Sequence, residues 1–242
     1  MRVCSTGKVY KARPRGGRAL QCSLSGSCTL GISIGADFHE AGKLEATVLW
    51  LSEHFDSCAI LLCDTLQRYN YDSYFRGEHE VALSEALQSG DEWLKRNKKI
   101  LSRFAIPVTI TRWEDWREHS GFESRLESIT QIWQESEEMQ RLILDDIQRF
   151  IANNPLSPEQ FPLKARIAAG AHYLLEELAG LSLFADEYGS LEVYAGAKIR
   201  AIEYLKDCKD SRAPESFKAM RSIKIDFVRL KSLEAPQAAI AV

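Results

Sequence analysis

The chain of 242 residues is 45% hydrophobic and 27% charged, and 31 Lys and Arg against 34 Asp and Glu leave a formal net charge of −3. This is the composition of an ordinary soluble globular protein, long enough for one sizeable domain or two small ones, with no global charge that points to nucleic acid. A run of eighteen apolar residues is missing, which excludes a transmembrane helix. The N-terminus also lacks the apolar core of a secretory signal, so the expected location is cytoplasmic. Six cysteines (4, 22, 28, 58, 63 and 208) show no CxxC or CxxH spacing. They read as reduced, buried thiols, and no metal site is expected.

In chain order, residues 1–25 are rich in Gly, Arg, Ser and Lys without periodicity. They are expected to be a flexible basic segment, mostly loop. Residues 1–36 contain Arg2, Lys8, Lys11, Arg13, Arg15 and Arg18 and no acid, which reads as a solvated arm or a polyanion contact. Residues 28–34, CTLGISI, form the first expected strand, and 44–55 a helix. The apolar run 58–65, CAILLCDT, suits a strand covered on both faces in a parallel sheet and ends in Asp64-Thr65. A Tyr-rich loop at 66–78 and a long helix at 78–103 follow, then a strand at 106–113. Apolar residues at helical spacing predict one helix over 122–151, stopped by Asn153-Asn154-Pro155. A further helix starts near 157 and runs into 172–178. A short strand at 190–194, a helix at 197–206, a strand at 223–230 and a frayed tail from 236 complete the reading. Strand and helix alternate, so the fold class is α/β, with a mainly parallel sheet in one domain over 26–235. Ligands of such sheets sit at the carboxyl ends of strands.

Three features carry chemistry. Gly31-Ile32-Ser33-Ile34-Gly35 delivers a serine hydroxyl to a strand end between two glycines. Ser33 there can be a nucleophile, a phosphate ligand or a polar turn residue. The segment matches G-x-S-x-G, but a hydrolase elbow follows several strands and needs a late histidine. The histidines at 39, 54, 79, 119 and 172 do not supply one after a late strand. The dinucleotide and P-loop glycine patterns are absent. Second, Lys95, Arg96, Lys98, Lys99 and Arg103 cluster on the helix at 78–103, with Lys95, Lys99 and Arg103 at i, i+4, i+8 on one stripe. That stripe reads as a solvated face or a track for phosphates. Third, Tyr173 and Glu177 share a helix face, where a phenol and a carboxylate could grip a cationic amine, although such a pair taken alone is more often a surface contact.

Taken in this order and spacing, the residues resemble the tRNA-dependent cyclodipeptide synthases. The elements of the resemblance are the serine segment Gly31–Gly35 with Phe38 soon after, a helix holding Trp50 and Phe55, Asp64-Thr65, the basic helix, Tyr173 and Glu177, and Phe184-Ala185-Asp186. The resemblance covers about residues 27–200. It implies a single Rossmann-like domain similar to the catalytic domains of class I tyrosyl- and tryptophanyl-tRNA synthetases. HIGH and KMSKS signatures are absent, so no ATP chemistry and no cofactor is expected.

The activity it implies is ping-pong aminoacyl transfer from two aminoacyl-tRNAs to a cyclic dipeptide. Ser33 becomes an aminoacyl ester, the amine of a second aminoacyl-tRNA attacks that ester on the way to a dipeptidyl-enzyme, and ring closure releases the product. Tyr173 and Glu177 match the pair that holds the α-amine, and Tyr194 matches a second tyrosine that moves a proton. Gly31, Gly35, Ala36, Leu61 and Asp64 are expected around the aminoacyl pocket, and Lys95, Arg96, Lys98, Lys99 and Arg103 on the first tRNA. Ala36 departs from the branch with an Asn-Tyr-His signature. Tyr194 precedes Ala195, where the other branch has proline, which leaves Tyr204 as a second candidate. A monomer is expected, with no membrane or DNA partner. A serine esterase and a catalytically inactive tRNA-binding module are the alternatives.

Overall fold

In the computed structural model, residues 9–15, 26–154 and 161–230 are described. Six strands form one sheet: β1 (Val9–Pro14), β2 (Ser27–Ser33), β3 (Ser57–Cys63), β4 (Val108–Arg112), β5 (Leu191–Tyr194) and β6 (Arg221–Leu230). The spatial order is β1-β6-β5-β2-β3-β4. Neighbours from β6 through β4 are all parallel, and β1 is antiparallel on β6. The expected mainly parallel α/β sheet is therefore present. Because β4, β3 and β2 run outward on one side of the start and β5 and β6 on the other, the strand order reverses between β2 and β5. That reversal is where an open α/β sheet leaves a crevice at its carboxyl edge.

Parity along the strands assigns the two layers. Cys28, Leu30, Ile32, Cys58, Ile60, Leu62, Val193 and Ile223 are buried on one face with Leu44, Val48 and Leu51 of α1 (Ala41–His54) and Trp93 of α3 (His79–Leu101). Ala59, Leu61 and Cys63 are buried on the other, under α5 (Phe122–Glu135), α6 (Glu137–Asn153) and α7 (Leu163–Tyr188). The continuous apolar run at 58–63 follows from this double cover.

Four expectations about elements change. Residues 9–14, expected to be loop, form the edge strand β1. Its side chains alternate between exposed Lys11 and Arg13 and buried Ala12 and Pro14, so these cations line a sheet edge and keep it from pairing further. The rest of the basic segment and the tail from 236 lie outside the described residues. The loop at 66–78 holds a 3-10 segment, Thr65–Asn70, and the short helix α2 (Asp72–Phe75). The single helix over 122–151 is two helices. Ser136 adopts an extended conformation (φ −113°, ψ 108°) and its hydroxyl accepts from the Met139 N–H at 3.1 Å, an N-cap that restarts the helix with Glu137 and Glu138 in its first turn. Past residues 155–160, which are not described, α7 runs unbroken for 26 residues. The remaining helices are α4 (Trp113–Arg117), α8 (Arg200–Asp207) and α9 (Glu215–Ala219).

Candidate active site at the strand reversal

The carboxyl ends of β2 and β5 open into a cavity of about 720 Å³. Ser33 ends β2 and Tyr194 ends β5, and their hydroxyls are 3.0 Å apart. Two backbone features make this meeting possible. Beyond Ser33 the chain turns through Gly35 at φ +84°, a conformation that costs a side-chain-bearing residue energy. After Tyr194, a Cβ on Gly196 would fall 2.4 Å from the Tyr194 ring, so only glycine lets the ring fold back over its own chain. Phe38 packs edge-on to that ring, with centroids 5.7 Å apart.

His39 sits directly behind the serine. The Ser33 backbone N–H donates to His39 Nδ1 at 2.9 Å, and burial lowers the His39 pKa to about 4. A neutral ring whose Nδ1 accepts carries its proton on Nε2. This imidazole therefore braces the serine backbone and has no free lone pair to offer the Ser33 hydroxyl. Among the described residues, the recorded side-chain partner of Ser33 Oγ is Tyr194 alone. His172, the histidine that the esterase reading would need, lies exposed on α7.

One wall of the cavity comes from α7. Tyr173 and Glu177 both line it, as their i, i+4 spacing requires. Gln67 of the 3-10 segment donates its amide N–H to the Tyr173 hydroxyl at 3.2 Å. Burial raises the Tyr173 phenol well above its ordinary range and also raises Tyr194. Both remain protonated phenols at neutral pH. Burial, with the charges of Glu192 and Asp146 nearby, pushes Glu177 up to about 8.

A carboxyl whose folded pKa lies above its unfolded value stabilises the fold fully below the unfolded value near 4.5. That contribution is lost as pH rises towards 8. In the ligand-free protein, Glu177→Gln is therefore expected to raise the melting temperature by a few degrees at pH 8.5 and to change it little at pH 4.5. Differential scanning fluorimetry across that range checks this; a difference that is flat with pH would contradict the raised pKa.

Of the other expected pocket residues, Gly31, Gly35 and Ala36 line the cavity. Leu61 and Asp64 do not. Leu61 is completely buried two residues before the β3 edge, in the core beneath the helices. Asp64 is also fully buried. It accepts from the backbone N–H groups of Thr65 (2.8 Å) and Trp113 (3.3 Å) and from Arg112 Nε (2.6 Å), which ties the end of β3 to the β4–α4 junction. Tyr204 packs against the core from α8 and is outside the cavity, so the second tyrosine at the serine is Tyr194.

The basic cluster divides. Arg96 pairs with Glu40 at 2.8 Å, and Arg103, beyond the end of α3, pairs with Glu45 of α1. The expected stripe through Arg103 is therefore broken. Lys95, Lys98 and Lys99 are exposed and have no ion pair among the described residues.

Sequence reading missed Glu192, Gln67 and Tyr69, all of which line the cavity. Glu192 had a signal: in LEVY it shares the parity of Tyr194 and must lie on the same face. Gln67 and Tyr69 had none, because an irregular 3-10 segment has no pattern that assigns a face.

No protein-family model and no curated protein matches the sequence. Solved structures do. A CDPS from Fluoribacter dumoffii superposes with a TM-score of 0.83, is 23% identical, and covers 92% of this chain with all of its own. A cyclodipeptide synthase from Candidatus Glomeribacter gigasporarum bound to Phe-tRNAPhe gives 0.64 at 16% identity, over 90% of this chain and 93% of that one. A Mycobacterium tuberculosis protein, whose structure demonstrates that cyclodipeptide synthetases are related to type I tRNA synthetases, gives 0.59 at 12% identity, over 91% and 93%. This chain has the cyclodipeptide synthase fold. On that fold, the Ser33–Tyr194 contact lies at the strand reversal, in the cavity that Tyr173 and Glu177 also line. Among the described residues, no helix is long and apolar enough to cross a membrane.

Proposed function

We propose that this protein is an aminoacyltransferase that makes a cyclic dipeptide from two aminoacyl-tRNAs through an ester on Ser33. The observation that carries the reading is the convergence, in one cavity, of a serine hydroxyl bonded to a tyrosine hydroxyl and of a carboxyl–phenol pair suited to an amine. The substrate ester is already activated, so the chain has to orient groups and move protons.

In the first step Ser33 Oγ attacks the ester carbonyl and the 3′ oxygen of the tRNA leaves with a proton. Tyr194, hydrogen-bonded to Ser33 Oγ, is the phenol placed to relay the serine proton. The α-amine of the bound group lies against Glu177. A carboxyl held at about 8 matches the ordinary α-amino range, so proton transfer between the two is nearly thermoneutral.

Atom balance then reverses the polarity expected from the sequence. Attack by the second amine on the seryl ester would leave the dipeptide on tRNA and free the serine. A dipeptidyl-enzyme forms only when the amine of the Ser33-bound group, deprotonated by Glu177, attacks the ester of the second aminoacyl-tRNA. The new terminal amine finally attacks the seryl ester, Ser33 Oγ leaves and recovers its proton through Tyr194, and the six-membered ring is released.

The exposed cations Lys95, Lys98 and Lys99 are suited to tRNA phosphates. Mixing the purified protein with charged tRNAs and analysing the products by mass spectrometry tests the function. Cyclic dipeptides are expected from the wild type. The triple variant Lys95→Glu, Lys98→Glu, Lys99→Glu is expected to bind tRNA at least about tenfold more weakly and with a shallower salt dependence. Unchanged affinity in the variant would reduce these lysines to a solvated face.

A further inference from the structure

The cavity side of the sheet changes character across its width. Ala59, Leu61 and Cys63 of β3 are buried beneath helices. Next to them, on the same face by parity, stand Thr29, Gly31 and Ser33 of β2, Glu192 and Tyr194 of β5, and Ser222 of β6. The register places Glu192 between Thr29 and Ser222. Glu192 lies two residues before Tyr194 and, through its partner Thr29, four before Ser33, so along the strands its backbone is about 7 Å deeper than that of Tyr194 and about 13 Å deeper than that of Ser33, and its side chain lines the cavity. Gly31, level with Tyr194 and midway between Thr29 and Ser33 on β2, contributes no side chain. A Cβ there would meet nothing within 4 Å, so a bay runs open from the serine hydroxyl down to Glu192.

The Glu192 carboxylate is poorly compensated. Among the described residues its recorded hydrogen bond comes from the neutral Ser222 hydroxyl, at 3.0 Å. Lys198 acts on it only through charge, and the Lys198 ammonium is 3.4 Å from Glu203. A carboxylate has about four lone-pair positions, and removing it from water is costly until a cation faces it. Leu174, Leu181, Ile199 and Ile202 also line the cavity and suit a methylene stem.

The geometry points to Glu192 as the receptor for a cationic side chain, an ammonium or guanidinium, on the first amino acid loaded. This deepens the transferase reading and rests on it. With the acyl carbon on Ser33 and the α-amine at Glu177, the remaining direction from the α-carbon is past Gly31 to the floor. Lys and Arg carry the long stems that this depth requires. An acidic side chain would meet the like charge of Glu192. The amine of the second aminoacyl group reacts at the level of the ester, two pleats above Glu192, and does not reach it.

The test is loading of the full chain, one charged tRNA at a time, followed by intact-mass measurement of the adduct. Lys-tRNA or Arg-tRNA is expected to load at least tenfold faster than Leu-tRNA and Glu-tRNA. Glu192→Gln is expected to lower the basic-to-neutral loading ratio at least tenfold. Faster loading of wild-type protein with Leu-tRNA than with both basic substrates would overturn the inference and leave the transferase reading standing. An equal effect of Glu192→Gln on every substrate, or an effect on the second step alone, would also overturn it. No adduct with any of the aminoacyl-tRNAs would overturn the transferase reading and the inference together.

Discussion

Ser33→Ala is expected to lower cyclic dipeptide formation by about three orders of magnitude or more, while leaving the fold and the affinity for tRNA near wild type. The argument is local. The hydroxyl removed contributes one hydrogen bond, to Tyr194, at a half-buried position beside an open cavity, so little packing is lost. The fixed parts of the serine segment, the His39 brace on the backbone N–H and the turn at Gly35, do not involve the side chain. The oxygen that would carry the acyl group has no substitute at this position. Product assays by mass spectrometry, with tRNA binding and thermal melting as controls, check this. Residual activity within about tenfold of wild type would mean that a direct reaction between two aminoacyl-tRNAs is the main route.

Glu176→Ala is expected to have the largest effect on stability. Glu176 precedes Glu177 on α7, and the rotation between neighbouring helix residues gives the two carboxylates opposite fates. Glu177 faces the cavity. Glu176 is 4% exposed and forms the centre of a closed network. It accepts from both terminal nitrogens of Arg68, from the Tyr69 hydroxyl at 2.7 Å and from Trp113 Nε1 at 2.8 Å. Arg68 also donates to the Thr65 carbonyl at 2.9 Å, which anchors the 3-10 segment that brings Gln67 and Tyr69 to the cavity. Truncation leaves a guanidinium, a phenol and an indole N–H buried without their acceptor. Breaking a buried pair from one side costs about 3–5 kcal/mol. In a protein of this size that lowers the melting temperature by roughly 10 °C. Glu176→Gln keeps one acceptor oxygen and is expected to cost less. Urea unfolding of both variants measures the difference, and equal, sub-kilocalorie losses would show that the network contributes little.

What the sequence disclosed follows from periodicity. The strand at 58–65 was legible because a parallel strand covered on both faces is a continuous apolar run, and the one at 28–34 because Cys28, Leu30 and Ile32 recur at every second position on its buried face. The Tyr173–Glu177 pair was legible because α7 is regular and an i, i+4 pair on it must share a face. Ser33 was legible from its glycine brackets. Three kinds of feature were not. β1 was hidden because the Lys11 and Arg13 charges of an edge strand resemble those of a loop. The division of the basic cluster depends on Glu40 and Glu45, which lie more than fifty residues away and come close only in the folded chain. Asp64 was assigned to the pocket because it ends a strand, yet its side chain turns inward to Arg112 and the backbone of Trp113. A strand end gives the position of a residue, and its hydrogen-bond partners decide the direction in which it points.

The central claim is the ester on Ser33. It is tested most directly by mixing the protein with a charged tRNA, quenching in acid, and measuring the mass of the intact protein and of the peptide that contains Gly31–Gly35. The expected result is a mass increase of one aminoacyl group, confined to Ser33 in the wild type and absent from Ser33→Ala. An adduct that persists in Ser33→Ala, or cyclic dipeptide produced with no adduct on wild-type Ser33 at any time after mixing, would contradict it.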